Sequence, residues 1–237
     1  MRLIIYSSLA FILLAAENCA GDKVSSEAIV ASEKIAETTA KLGIQNVEKF
    51  NGRLDELLTL EMASKCTGYE ASEATKNYSQ VLEDPKTHYV SYSWEKGRMH
   101  VTDLGFTKIE TDKPDVVQLS WLTTMTLENF TNLYREITDE DISNARKALD
   151  ERINKGDLDP EAAKLAKEMA EGFMAGKNSR EWVEGVGEKA VWMEDDKSLK
   201  VLYNGLSFSI LADISDEQSE NRQTAIDIAK MIVKDKL

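Results

Sequence analysis

The stretch SLKVLYNGLSFSILAD, residues 198–213, constrains the fold more than any other part of the chain. Its Asn204-Gly205 pair is the chemistry a two-residue hairpin turn asks for, because both central positions need positive φ. Centring the turn there pairs Tyr203 with Leu206, Val201 with Phe208 and Leu199 with Ile210. Every pair is apolar and shares a face, while Lys200, Ser207 and Ser209 take the other. A helix from about Asp216 follows, with Ser215 to Gln218 as a capping box and Ala225, Ile228, Ala229 and Ile232 as its buried stripe. The C-terminal unit therefore reads strand, strand, strand, helix.

Just upstream, VEGVGEKAVW places Gly185 and Gly187 in a Gly-x-Gly run. A dinucleotide loop needs a strand before the glycines and a helix opening at them. Here a strand-like segment, Ala190 to Trp192, comes after them, and the residues before them follow a helix. The spacing therefore predicts a tight turn at a helix-to-strand handover, where glycine relieves the backbone, and not a phosphate cradle.

Further strands are expected upstream. In THYVSYSWEKGRMHVTD, Val90, Tyr92 and Trp94 alternate with Tyr89, Ser91 and Ser93. A turn at Lys96-Gly97 would set Trp94 opposite Met99 and Tyr92 opposite Val101, giving a hairpin over 88–103 with His100 beside Ser93. A third strand, DVVQLSWL, would carry Val117, Leu119 and Trp121 on one side.

Helices fill the rest. Residues 25–60 have helical spacing with a break at Asn51-Gly52, the first part serving as a stalk. Residues 127–176 form an acidic helical segment. Thr138 and Asp141 cap one helix with stripe Ile142, Ala145, Leu149 and Ile153, and Asp159 caps another with Ala162, Leu165, Ala166, Met169 and Phe173 inward. The expected class is α+β, antiparallel hairpins packed with helices. YSWEKGRMHV and AVWMEDDKSLKV share a tryptophan, a charged turn and a returning strand, so the α+β stretches 61–126 and 181–237 read either as two related sheet-plus-helix halves or as a chance match over a short run. A signal peptide (1–20), a helical or stalk region (21–60) and the acidic segment (127–180) complete the organisation.

The run from Val183 to Trp192, the hairpin after it and the final AIDIAKMIV helix resemble the C-terminal part of uncharacterised bacterial exported proteins and lipoproteins, several with a Gly-Val-Gly-Asp-x-Ala-x-Trp run. Glu188 stands where that run more often has Asp. The resemblance covers residues 182–233, with a looser echo over 66–121, and implies export without implying an activity.

The N-terminus predicts the same compartment. Arg2 precedes a short apolar stretch, residues 3–16, and small and polar residues follow, which is the layout of a secretory signal peptide. LLAAENCAGDK also places Cys19 where a lipoprotein carries its acylated cysteine, although Glu17 and Asn18 depart from the small residues of that site. Acylation at Cys19 is the expectation, and cleavage after Ala20 with soluble secretion is the alternative. Cys66 is then left as a small buried thiol.

Charge and residue inventory narrow the chemistry. The formal net charge is −13, with no basic run, so nucleic acid is a poor partner. Two cysteines and two histidines supply no zinc spacing. Asp157, Asp159, Glu161 and Glu168 sit at calcium-loop intervals but lack the turn glycine, and Pro160 reads as a helix start. Asp139, Glu140 and Asp141 are read as helix-terminal charge, and His88 and His100 as surface or edge residues. No Gly-x-Ser-x-Gly elbow occurs. No catalytic, cofactor or metal residue is assigned, and Cys19 as lipid attachment point is the only site residue. The expected role is a non-enzymatic envelope protein that binds a protein partner or small ligand, through the acidic segment and with a membrane reached by the lipid anchor. The alternative is an exported hydrolase-like enzyme with a site assembled from scattered Asp, Glu and His.

Overall fold

In the computed structural model, residues 26–156, 159, 161–166, 168 and 179–237 are described, with side chains in the first helix described from Lys34 onward. Cys19 and the proposed signal segment lie outside them, as do Asp157, Met169 and Phe173. The elements run α1 (Ser26–Phe50), α2 (Leu54–Leu57), α3 (Leu60–Thr67), β1 (Thr75–Ser79), β2 (Tyr89–Trp94), β3 (Met99–Asp103), β4 (Lys108–Asp112) and β5 (Asp115–Thr124). They continue with α4 (Leu127–Tyr134), α5 (Asp139–Asn154), β6 (Arg180–Val183), β7 (Lys189–Met193), β8 (Ser198–Tyr203), β9 (Leu206–Asp213) and α6 (Gln218–Asp235). The chain is α+β, with a seven-stranded antiparallel sheet in the order β1-β2-β5-β9-β8-β7-β6 and a separate two-stranded sheet, β3-β4.

The β8–β9 hairpin forms in the register the turn chemistry predicts, Tyr203 against Leu206, Val201 against Phe208 and Leu199 against Ile210. Asn204 and Gly205 both have positive φ, 47° and 72°, as a type I′ turn requires. One face of the sheet holds the main core, with Val90, Trp94, Val117, Leu119, Trp192, Leu199, Val201, Phe208 and Ile210 all buried. The expected stripe of α6, Ala225, Ile228, Ala229 and Ile232, covers it together with Leu54 and Leu57 of α2, Leu58 just after it and Met62 of α3. On the opposite face Phe130 and Tyr134 of α4 pack over Val191 and Leu202.

The structure corrects several expectations. The 88–103 hairpin does not form. Trp94 pairs with Asp115 and Tyr92 with both Val117 and Lys76, while Met99 faces Asp112 and His100 faces Thr111. Alternation fixes which face of β2 is buried, and that part holds. It does not say which strand lies alongside, and here β3 and β4 leave the sheet as their own ribbon. On β5, Val117 and Leu119 point inward as expected but Trp121 does not. The register shifts between Ser120 and Thr123, Trp121 takes φ 61° and is 44% exposed, and Leu122 fills the core position. A bulge inserts one residue and so exchanges the faces beyond it.

Gly185 and Gly187 form a turn, but between two strands, since β6 precedes them and pairs with β7. Gly187 has φ 59°, and a Cβ there would run into the Leu202 carbonyl, so the site needs glycine on both counts. No helix opens after the glycines, so the phosphate-cradle geometry is missing. The stretches 61–126 and 181–237 contribute to one sheet, joined through β5 and β9. The start of α6 has no capping box. Glu217 is the N-cap without a side-chain bond, and Asn221 Oδ1 instead accepts from the amides of Ile214 and Ser215 at 2.9 and 3.0 Å. Nor is the stripe of α5 buried. Ile142, Leu149 and Ile153 are half-buried and Ala145 is exposed.

Candidate functional site

Three arrangements of side chains go beyond packing. The first is an apolar groove where α1 meets the β8–β9 turn. Gly43 and Gly205 let two backbones meet there: a Cβ on Gly43 would lie 2.6 Å from the Gly205 carbonyl carbon, and one on Gly205 would reach 3.0 Å from the Thr39 carbonyl carbon. Beside this contact Ile35, Ala36 and Ala40 of α1 form one wall of the groove. The residues leading into α4 close the other wall, because Met125 N–H donates to the Gly205 carbonyl at 2.9 Å and the Thr126 side chain caps α4 by accepting from Asn129 N–H at 3.1 Å. Between the walls lies a cavity of about 570 Å³ lined by Ile35, Ala36, Ala40, Ile44, Met125 and Leu127, with Glu188 at its edge. One Glu188 oxygen accepts from Asn204 N–H at 3.2 Å. Ile35, Ile44 and Leu127 are 68%, 50% and 52% exposed, so the groove presents apolar side chains to water.

The second arrangement is a charged root at the opposite end of the central strands. Arg98, just before β3, donates to Asp115 Oδ1 at 2.5 Å, Asp213 Oδ1 at 2.9 Å and the Asp213 carbonyl at 2.5 Å. Lys113 and Lys197 reach Asp213 at 3.0 and 2.8 Å, and Tyr69 donates its hydroxyl to Asp115 Oδ2 at 2.5 Å. Burial alone would raise the Asp213 pKa, but hydrogen bonds from Lys197, Lys113 and Arg98 hold it at about 2. Burial, reinforced by the bond to Asp115, pushes the Tyr69 hydroxyl up to about 12. Every carboxylate of the cluster has cationic partners, so the arrangement is suited to fixing geometry rather than to moving protons. What it fixes is the base of the β3–β4 ribbon, since Arg98 and Lys113 flank that ribbon in sequence. All ten residues of β3 and β4 are exposed, and the ribbon ends in Leu104 and Phe106, 45% and 88% exposed.

The third is a polar patch behind the core, where Lys200 Nζ donates to Ser209 Oγ at 3.0 Å. Burial lowers the Lys200 pKa. Ser209 is itself buried and Lys200 half-buried.

The residues singled out in the sequence are scattered. His88 is buried, not at the surface, with Nε2 at 2.5 Å from the Leu82 carbonyl. His100 is exposed on β3, so the two histidines do not share a site. Thr138 and Asp141 form the expected N-terminal cap, in the structure a full capping box, and Asp141 is paired with Arg135. Hydrogen bonds from Arg135 and Thr138 keep its carboxyl well below the ordinary range. Asp159 caps the next helical segment, accepting from Ala162 N–H at 2.8 Å. Among the described residues no group of three or more His, Cys, Asp or Glu side chains could hold a metal ion, and no helix is long and apolar enough to cross a membrane. Cys66 packs against the core with its sulfur 3.5 Å from that of Met231, and burial pushes its thiol up to about 11. Sequence reasoning missed the groove, the Arg98 cluster and the ribbon. The Leu-Gly-Phe tip was the one local signal, since it sets two large apolar residues around a turn glycine between charged flanks.

Compared with known proteins, the chain matches no family model, no curated protein and no solved structure.

Proposed function

We propose that the chain is an exported, non-enzymatic binding protein of the bacterial cell envelope, held at a membrane by lipid on Cys19, whose apolar groove receives an apolar part of its partner. The observation that carries the binding role is the groove between α1, the β8–β9 turn and the start of α4. Concave apolar sites with a few polar groups are where ligands bind, and exposed apolar lining is costly in water unless something covers it. Export rests on the N-terminal layout and on the resemblance of the Val183–Trp192 run to exported proteins. The acidic segment takes part through its first residues, since Leu127 and Asn129 line the groove.

Two measurements test this reading. An apolar fluorescent dye such as an anilinonaphthalene sulfonate should bind the native protein at one saturable site and lose that site in Leu127→Asp. Binding that is absent, or equal in the variant, removes the groove. Intact mass of protein from its native host should show a diacylglyceryl-modified chain beginning at Cys19, and an unmodified N-terminus at Gly21 would remove the anchor.

A further inference from the structure

The face of the sheet that α4 covers carries a polar corner beside its apolar patch. Lys200 lies across from Ser209 and Ser198 across from Leu211 in the β8–β9 register, and Ser120 and Gln118 of β5 extend the same two rows. Side chains alternate along a strand, so all six stand on the face opposite Leu199, Val201 and Ile210. Lys200 Nζ donates to Ser209 Oγ at 3.0 Å, which leaves the ammonium two N–H groups and leaves Ser209 its own proton to give. Ser198 is only 3% exposed, and among the described residues its buried Oγ has no hydrogen-bond partner. A buried hydroxyl left unpaired is costly. Among the described residues Lys200 forms no ion pair. Burial lowers its pKa, and the acidic group acting against that is Asp196, exposed in the turn before β8. Arg180 shares the face but stands two strands from Ser198, beyond Met193. At about 10 Å it is too far to share one small ion.

We infer that Lys200, Ser198 and Ser209 form a binding site for a carboxylate group, independent of the groove. Lys200 offers only donors, Ser209 already accepts, and Ser198 has a hydroxyl to spend, so the corner suits a ligand that only accepts. An ionised carboxylate is such a group. Spacing agrees. Positions on this face are about 5 Å apart across the strands and about 7 Å apart along them, and a carboxylate accepting on both oxygens at about 2.8 Å bridges groups at that separation. Charge sets the valence. One ammonium balances a monoanion, whereas a phosphate dianion would leave a negative charge uncompensated in a half-buried place. A metal ion or an amine is repelled by Lys200 itself. Lys200, Ser120, Gln118 and Leu211 are all half-buried, so the ammonium is reached from their side, and Leu211 with Met193 offers contact to a short alkyl part. The carboxylate can come from a free small acid or from the C-terminus of a peptide, which presents the same group.

Two readouts on the full chain test this, with sodium acetate as the probe and sodium chloride at equal ionic strength as the control. Acylation of Lys200 by N-hydroxysuccinimide acetate, followed by peptide mass, should slow saturably as acetate is added while the exposed lysines react as before. The melting temperature should rise with acetate over the same range. Lys200→Met keeps the length of the side chain without its charge and should abolish the rise. Ser198→Ala should weaken acetate by about tenfold, the worth of one hydrogen bond to a charged group. Should Lys200→Met fail to fold, the acylation readout in the wild type and in Ser198→Ala still decides. Protection that is absent or equal in chloride overturns the site, as does a melting rise that survives in Lys200→Met. Phosphate binding more tightly than acetate overturns the choice of a carboxylate. N-acetyl-alanyl-alanine separates the sources: tighter binding than acetate assigns the site to a peptide terminus, and equal or weaker binding assigns it to a free acid. Loss of dye binding in Leu127→Asp reports on the groove alone, so either reading can fail while the other stands.

Discussion

Replacing Gly43 with Ala sets two physical effects against each other, and the structure decides the sign. In an isolated helix the change is favourable, since Ala exceeds Gly by about 1 kcal/mol in helix propensity. In the folded chain the new Cβ would stand 2.6 Å from the Gly205 carbonyl carbon and 3.1 Å from its Cα, closer still to its oxygen. Carbon atoms pack at about 3.5–4.0 Å, so α1 must withdraw by roughly 1 Å. The turn cannot yield instead. Gly205 is held at φ 72°, and its carbonyl already accepts from Met125 N–H. Forced overpacking of this kind costs about 1–3 kcal/mol, and a gap of about 1 Å also forfeits up to half of the dispersion energy along the contact. Gly43→Ala should therefore lose about 1–2 kcal/mol net by urea denaturation, even though a peptide of residues 26–50 carrying it becomes more helical. Hydrogen exchange should place the loss in α1, and dye affinity at the groove should fall with it. A variant as stable as the wild type or more so would refute the close approach of α1 to the turn, and with it the groove.

Trp94 and Trp192 are both buried in the main core, so Ala at either should cost about 3–5 kcal/mol by denaturant melting. Wild-type-like melting of both would reject the sheet assignment. For Asp213 the folded pKa of about 2 lies below the ordinary value of about 3.9. Its stabilisation is therefore complete above about pH 4 and is lost as pH falls through 2. Asp213→Asn should lower stability at neutral pH and flatten the loss between pH 4 and 2, and an unchanged pH profile would contradict the ion network. With its thiol pushed up to about 11, Cys66 should react with a disulfide reagent at pH 8 many-fold more slowly in the native protein than in urea. Equal rates would contradict its burial.

Legibility in the sequence followed the range of the interaction. The β8–β9 register could be read because turn chemistry and alternation both act within a few residues of Asn204-Gly205. The capping box at Thr138 and Asp141 and the stripe of α6 were local for the same reason. The neighbours of β2 were not legible. Its apolar face could be satisfied by any antiparallel strand, and β1, with exposed Thr75, Lys76 and Asn77, carries no alternation to announce itself. Trp121 defeated the pattern because a bulge changes the period where no glycine marks it. The half-buried stripe of α5 looked like a core stripe because periodicity reports which side is apolar and says nothing of how deeply it is covered. The groove was least legible of all. It depends on Gly43 meeting Gly205, two glycines with ordinary local explanations, one within a helix and the other in a turn.

The charged root explains why an exposed ribbon keeps its direction. Two strands alone are marginal in water, and the apolar residues of β3 and β4 face no core. Partly buried ion pairs such as Arg98–Asp115 and Arg98–Asp213 contribute little net stability, because desolvation offsets much of the attraction. Their geometry is nonetheless demanding, since a guanidinium is planar and its donors diverge at fixed angles. Arg98 meets the first residue of β5 and the last of β9, so it ties the base of the ribbon to the two central strands of the sheet. A flexible loop could expose Leu104 and Phe106 equally well, but ordering it on contact would carry an entropic cost. Holding the tip at a fixed orientation at one end of β5 and β9 removes that cost from any contact the tip makes.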